Sequence, residues 1–473
     1  MAVIPTRILV ELLRDWRDPD AGPAYSQLAD RIRLLVLDGR VGIGDRLPAE
    51  RDLAGQLGLS RTTVTAAYAE LRDRGFLKSV RGSGSVARLP LKPVLVPDAP
   101  ISGAPDLSKA TLPASVHLPA AIERAAARMP EHLHLSGFDP LGLPELRAAL
   151  ARRYTARGLA TDPEQIMITV GAQHAIALLA RTLLSRGDRA LVENPSYPHG
   201  FEALRSAGAR IVPVAVTSYE GWDVAGLEQA LQRTSPALGY LMPDFHNPTG
   251  RTMDDETRSR LLALAARQGT TIIADETMGE LGFGDQPVRA PLAAHGPAVI
   301  VGSVGKTVWG GLRLGWIRAD RALIQRLARV RSAGDLGTPV FEQLVVADIL
   351  GDYDTVLDER RAQLRAGHDH LVAALRSRFP DWDVPAVDGG LTVWVNLGAA
   401  VSSQLALAAR NEGLLIAAGP RFGVDGAFER FLRIPFSHPA AETDIAVGAL
   451  ERAWATVMRQ PYPVESDYLA EVV

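Results

Sequence analysis

Apolar residues recur along this chain at two spacings, and the changes of spacing divide it. At the front, Ile8, Leu9, Leu12, Leu13 and Trp16 fall at helical intervals within residues 6–17 and predict a short amphipathic arm whose apolar side packs on a neighbour. The next helix runs from Tyr25 to Leu37, with Leu28, Ile32, Leu35 and Val36 on one face and Gly39 behind it as a stop. Two short helices joined by a turn at Gly58 follow, and Ser60 is placed to cap the second of them. From Phe76 to Val86 the pattern alternates and turns at Gly82 and Gly84, which predicts a β-hairpin.

Periodicity then stops. Pro90, Pro93, Pro97, Pro100, Pro105 and Pro113 predict an extended, semi-rigid linker over 89–117. Short apolar runs bounded by turn residues resume behind it: Ile166–Val170, Ala190–Val192, Leu238–Met242, Thr271–Ala274 and Ala298–Gly302. Interleaved with helical stretches, they predict buried strands of an α/β body starting at 118, its large lobe reaching about 334. A smaller lobe over 335–460 carries a helix-like stretch at 347–374 and strands at Leu391–Val395 and Phe431–Phe436.

Composition sharpens this division. At 473 residues and 47% hydrophobic content, several domains with large cores are affordable. No cysteine is present, so disulfide frameworks and thiolate metal sites are excluded, as expected of a reducing compartment. The chain lacks a signal-peptide pattern and any apolar run long enough to cross a bilayer, so the expected location is the cytoplasm, away from any membrane. The net charge of −3 hides an asymmetry: residues 22–90 hold eleven Lys or Arg against seven Asp or Glu, which leaves −7 for the rest. A basic front on an acidic body points to a polyanionic partner for the front alone.

The chemistry-bearing residues cluster at strand ends, where open α/β sheets bind ligands. Asn247 lies in the turn-rich Pro243–Gly250, Asp275 ends one apolar run, and Lys306 and Arg313 follow the next, with Ser303 just before them. Gly305-Lys306-Thr307 also matches the end of a phosphate-binding P-loop, but that pattern needs a glycine where Ile300 stands. Gly171, Ala172 and Gln173 open a helix directly behind a strand, and free N–H groups at such a start suit an anion. Arg433 sits in an apolar strand, where a buried guanidinium needs an anionic partner, either a ligand or a structural carboxylate. His174 and His246 read as structural histidines.

The order Asn247, Asp275, Ser303, Lys306, Arg313 resembles the fold-type I pyridoxal phosphate enzymes of the aspartate aminotransferase superfamily. That resemblance implies that Lys306 condenses with the cofactor aldehyde as an aldimine, that Asp275 pairs with the ring nitrogen, and that Asn247 bonds the ring hydroxyl. It further implies that Ser303, Arg313 and the helix start at Gly171, Ala172 and Gln173 hold the phosphate, that Tyr197 stacks on the ring, and that Arg433 takes a substrate or effector carboxylate. Such chemistry suits these side chains: an amine attacks an aldehyde, a carboxylate keeps a pyridinium charged, and arginine with a hydroxyl matches a phosphate. Thr277 and Met278 depart from the pattern, because many relatives carry there a tyrosine that bonds the ring hydroxyl.

Residues 22–88, with Leu47-Pro48-Ala49-Glu50-Arg51 and Ser60-Arg61-Thr62-Thr63-Val64, closely resemble the GntR-type winged helix-turn-helix. By that resemblance Arg51, Arg61, Thr63, Arg81 and Gly82 touch double-stranded DNA, while Thr65 replaces an arginine of some relatives. The two modules together resemble the MocR family of transcription regulators. The resemblance implies a multidomain homodimer: a winged helix-turn-helix, then a fold-type I transferase body with a smaller α+β lobe. It also implies an operator for the first module and an amine or amino-acid effector for the second. A working aminotransferase, and a sensor of pyridoxal phosphate itself, fit the same residues.

Overall fold

The computed structural model describes residues 4–13, 16–17, 22–37, 41, 45–80, 84–88, 105–284, 289–424 and 426–459. In the front unit, helices α1 (Thr6–Leu12), α2 (Ala24–Leu37), α3 (Glu50–Leu57) and α4 (Arg61–Asp73) precede an antiparallel pair, β1 (Leu77–Val80) and β2 (Gly84–Ala87). The arm at α1 does not wait for an outside neighbour. Leu9, Leu13 and Trp16 are buried in one core with Leu28, Ile32, Leu53, Val64 and Leu71, so the arm's apolar stripe completes the front unit's own interior.

The body is built on an eight-stranded sheet: β3 (Ile166–Thr169), β4 (Arg189–Asn194), β5 (Arg210–Thr217), β6 (Gly221–Trp222), β7 (Leu238–Leu241), β8 (Thr271–Asp275), β9 (Val299–Ser303) and β10 (Gly315–Arg318). Their order across the sheet is β3-β10-β9-β8-β7-β4-β5-β6. Strands β5, β4, β7, β8 and β9 run parallel, and β10 is antiparallel to both β9 and β3. Side chains of β3 and β7 are buried along their whole length, as continuous apolar runs in a covered sheet require.

Helices α5 (Leu118–Arg128), α6 (Pro144–Ala156), α7 (Gly171–Leu183) and α8 (Pro198–Ser206) pack on this frame. In the smaller lobe, β11 (Thr392–Asn396), β12 (Ala417–Ala418) and β13 (Phe431–Pro435) form an antiparallel sheet in the order β11-β13-β12. The helical stretch expected at 347–374 is two helices, Val340–Ile349 and Tyr353–Arg378, separated by a 3₁₀ turn at Leu350–Asp352 around Gly351.

The body also begins earlier than its proline content suggests. Leu107, Ala110 and Leu112 join the main core. Leu107 N–H donates to the Leu415 carbonyl (2.8 Å), and Arg360 reaches the Pro113 carbonyl (2.6 Å). Residues 105–117 are therefore packed against the body rather than part of a free linker; prolines there terminate backbone donors without preventing burial.

Candidate cofactor site and nucleic-acid interface

Asp275 and Ser303 end parallel strands, and the register sets Gly315 opposite both Ser303 and Thr169. The loop from Ser303 to Gly315 is therefore closed at one sheet edge. Ser303 Oγ donates to the Leu314 carbonyl (2.9 Å) and accepts from Gly305 N–H (3.0 Å). Below the loop, Arg360 binds the Thr307 and Val308 carbonyls, and Thr307 shares a 2.7 Å hydrogen bond with Tyr353.

Only glycine fits at 315: a Cβ there would lie 2.7 Å from the Gly171 carbonyl carbon and 2.8 Å from the Ala172 nitrogen. This close approach brings Arg313 over the start of α7. Its Nη2 lies 2.9 Å from where a Gly171 Cβ would stand, and Gly171 itself has φ +79°. The first N–H groups of α7, at Gly171, Ala172 and Gln173, have no partner within the helix. With a guanidinium above them and no described carboxylate paired to Arg313, they form a cradle for an anion.

Lys306 is half-buried and donates from Nζ to the Ala110 carbonyl (2.8 Å). Burial, and the positive charges of Arg433 and Arg313, bring its pKa down to about 8, against the pull of Asp275. Asp275 is buried at the end of β8, which raises its carboxyl above the usual range. Donors from two residues oppose that shift: Tyr240 hydroxyl on Oδ2 (2.7 Å), and Thr277 through its side chain and its N–H on Oδ1 (3.1 Å). Tyr197 starts α8 as its N-cap, and burial pushes its hydroxyl up to about 12.

Arg433 is fully buried on the central strand β13, opposite Trp394 and Ala417. Its guanidinium lies 5.0 Å over the Phe422 ring and one Nη2 donates to the Ser108 carbonyl. Nε has no partner, and no described carboxylate lies within ion-pair distance. Burial lowers its pKa to about 10. The alternative of a structural ion pair is therefore not realised among the described residues.

Asn247 follows β7 in a loop that is held from below by Arg258, which binds the Met253 and Pro243 carbonyls and Asp244. The Asn247 amide oxygen is buried without a partner, as are Gln173 Oε1 and Ser196 Oγ. His246 is fully buried between Thr249 (2.9 Å) and Glu193 (3.3 Å), and His174 bonds Val170 N–H and Asp335, so both are committed to structure.

Sequence reasoning missed four contributors. Tyr240, the polar residue of an apolar strand, was a visible signal that went unused. The Ser108 and Ala110 carbonyls were hidden, because backbone groups leave no signature in residue identity. Arg46 carried no pattern at all.

In the front unit, Ser60 Oγ accepts from Thr63 N–H (3.1 Å), a helix cap that fixes where α4 begins. Arg61 and Thr62 are exposed on the first turn, and the Arg51 side chain is free to solvent on α3. Arg46, Arg51, Arg61 and Ser85 line one groove between α3, the start of α4 and β2. Thr65 donates to Glu50 (2.7 Å). Arg81 and Gly82 lie outside the described residues.

This fold and site define a class: an aminotransferase body behind a helix-turn-helix reader. The family described as "Aminotransferase class I and II" matches residues 102–450, and "Bacterial regulatory proteins, gntR family" matches 24–86. The chain belongs to the MocR family of regulators, in which the two are fused. It is 31% identical over 432 residues to the "Probable rhizopine catabolism regulatory protein MocR" of Rhizobium meliloti, covering 84% of this chain and 86% of that one. With the HTH-type transcriptional regulator TauR of Rhodobacter capsulatus it shares 30% over 468 residues, 89% and 94% of the two chains. Among solved structures, the α-aminoadipate aminotransferase LysN of Thermus thermophilus, complexed with N-(5'-phosphopyridoxyl)-L-leucine, superposes with a TM-score of 0.69 at 28% identity. That match covers 76% of this chain and 94% of LysN. No described helix is long and apolar enough to cross a membrane.

Proposed function

We propose that this protein is a transcription regulator that holds pyridoxal 5'-phosphate at Lys306, receives an amino acid between Lys306 and Arg433, and thereby alters its grip on a double-stranded operator. The residues fit the cofactor: buried polar atoms of Asn247, Gln173 and Ser196 lack partners among the described residues, and Arg313 lies over the start of α7 with no described carboxylate paired to it. Bound there, pyridoxal phosphate would supply an aldehyde carbon and an electron-withdrawing ring.

The chain's own residues do the rest. Lys306, whose pKa burial brings down to about 8, would present a neutral amine to that aldehyde in part of the population at physiological pH. Arg313, Ser303 and the start of α7 would hold the phosphate, Asn247 the ring hydroxyl and Asp275 the ring nitrogen, with Tyr197 beside the ring. Arg433 has a charge and a free Nε for a ligand carboxylate.

One observation carries the regulatory reading. Lys306 and Arg433, the amine-handling and carboxylate-handling groups, are each bonded to a backbone carbonyl of residues 108–110, the segment that leads toward the front unit. An amino acid that engages both cations competes with both carbonyls, so ligand occupancy and the seating of the tether are coupled. Arg51, Arg61, Thr63, Arg81 and Gly82 would meet the DNA, and the operator places the protein in the cytoplasm.

A homodimer fits the exposed apolar side chains Leu133, Leu135, Phe138 and Leu336, which are 56–70% accessible. The test is operator binding by the loaded protein across a panel of amino acids. A change with one of them supports the reading, and indifference to all of them refutes it.

The complete set of Lys306, Asp275 and Arg433 also favours a second reading, a turning-over aminotransferase. Conversion of an amino acid to its oxo acid by the loaded protein distinguishes it. Operator release on cofactor addition alone would instead identify pyridoxal phosphate as the signal.

A further inference from the structure

Tyr240 lies on β7 facing Ile273 of β8, and strand alternation puts Ile273 and Asp275 on the same face of the sheet. The ring therefore runs up the sheet to the Asp275 carboxylate, where its hydroxyl donates at 2.7 Å. The residue is fully buried, and its position is fixed from the other side as well: a Cβ at Gly200 on α8 would come within 2.6 Å of the Tyr240 ring. Among the described residues no arginine or lysine forms an ion pair with Asp275. The titratable groups around it are Lys306 and Tyr197, with Arg313 and Arg433 acting through Lys306, and Glu193 beneath Tyr240.

A buried carboxylate with no ion-pair partner, acted on by Lys306 only from a distance, relies on hydrogen-bond donors to favour its ionised form. Tyr240 supplies the strongest at one oxygen, and Thr277 supplies the rest through its N–H and its side chain. Burial keeps the Tyr240 hydroxyl protonated, so it is a donor at every physiological pH. Positions 277 and 278 carry no tyrosine, so the nearest buried phenol serves the carboxylate rather than the ring hydroxyl.

We propose that Tyr240 is a positioning residue that keeps Asp275 ionised and aimed, and through it sets the protonation of whatever ring nitrogen Asp275 receives. This rests on the reading of Lys306 and Asp275 as a pyridoxal phosphate site. Without the Tyr240 donor, Asp275 holds a proton more firmly, the ring nitrogen is less surely charged, and the Lys306 nitrogen becomes more basic.

The experiment uses the full chain loaded with pyridoxal phosphate, its visible band titrated against pH and its cofactor dissociation timed, for wild type, Tyr240→Phe and Gly200→Ala. Tyr240→Phe is expected to keep the thermal midpoint within a few degrees, to move the midpoint of the band up by about one pH unit, and to release cofactor about tenfold more readily. Gly200→Ala keeps the phenol but pushes its ring, and the hydroxyl with it, off Asp275, and carries the same expectation should Tyr240→Phe fail to fold. Wild-type values for both quantities in either folded variant would overturn the role of Tyr240 while leaving the site intact. A wild-type protein that takes up no cofactor would instead overturn the site, and this proposal with it.

Discussion

Replacing Arg433 by methionine separates a ligand-binding arginine from a structural one. The guanidinium is fully buried, makes one hydrogen bond to a carbonyl and has no carboxylate partner among the described residues. An apolar side chain of similar length removes the desolvation penalty of the charge, worth about 1–4 kcal/mol in comparable exchanges. It also leaves the Ser108 carbonyl unbonded, a loss of about 1–3 kcal/mol. The two nearly cancel, so the variant should unfold within about 2 kcal/mol of wild type.

Ligand binding behaves differently. Losing one side of a buried charge pair lowers affinity by about 2–5 kcal/mol, at least about 30-fold, for an amino acid whose carboxylate meets Arg433. The amine that lacks this carboxylate should bind wild type and variant alike. The assay is the shift of the visible band of the loaded protein, titrated with amino acids and their decarboxylated counterparts. Equal losses for both ligand types, or destabilisation beyond about 3 kcal/mol, would refute the assignment.

Further outcomes follow from the same geometry. Lys306→Ala should keep the fold yet lose the label that borohydride reduction fixes to the wild-type chain; a labelled variant would place the attachment elsewhere. Because the pKa of Lys306 is lowered to about 8, the attacking neutral amine accumulates as pH rises. The rate of cofactor attachment should therefore climb through pH 8 and level off above it, and a midpoint near the ordinary lysine value would contradict the burial described here. Arg61→Ala should weaken specific DNA binding by about 1–3 kcal/mol, measured by titration of operator DNA, if the side chain reads a base. Ser60→Ala removes the cap of α4 and should lower the stability of the front unit by about 0.5–2 kcal/mol in thermal unfolding.

Local signals carried most of this protein. Apolar runs ending in single polar residues gave the strands and put Asp275, Ser303 and Lys306 at their ends, because a buried strand must be apolar and a strand end need not be. Ser60 and Gly58 marked the turn into α4 for equally local reasons. What was illegible depended on contacts between distant residues. Ala110 and Lys306 are 196 positions apart, and Ser108 and Arg433 are 325 apart. The prolines of 105–113 suggested a linker because composition reports on backbone donors, not on whether a neighbouring sheet edge and core will accept the segment. The helical period across 347–374 likewise continued through Gly351, where a 3₁₀ turn over Leu350–Asp352 interrupts the α-helix.

The early start of the body shortens the distance by which the front unit can be separated from it. A free stretch over 89–117 would hold 29 residues and, at about 3.4 Å each, would let a reader stray about 100 Å from its anchor. With 105 onward pinned to the body, sixteen residues, 89–104, separate the last described residue of the front unit from the body, and whatever their conformation they span at most about 55 Å. The anchor itself lies within a few residues of the carbonyls on Lys306 and Arg433. The volume within that upper bound is smaller by roughly the cube of the ratio of the two lengths, about sixfold.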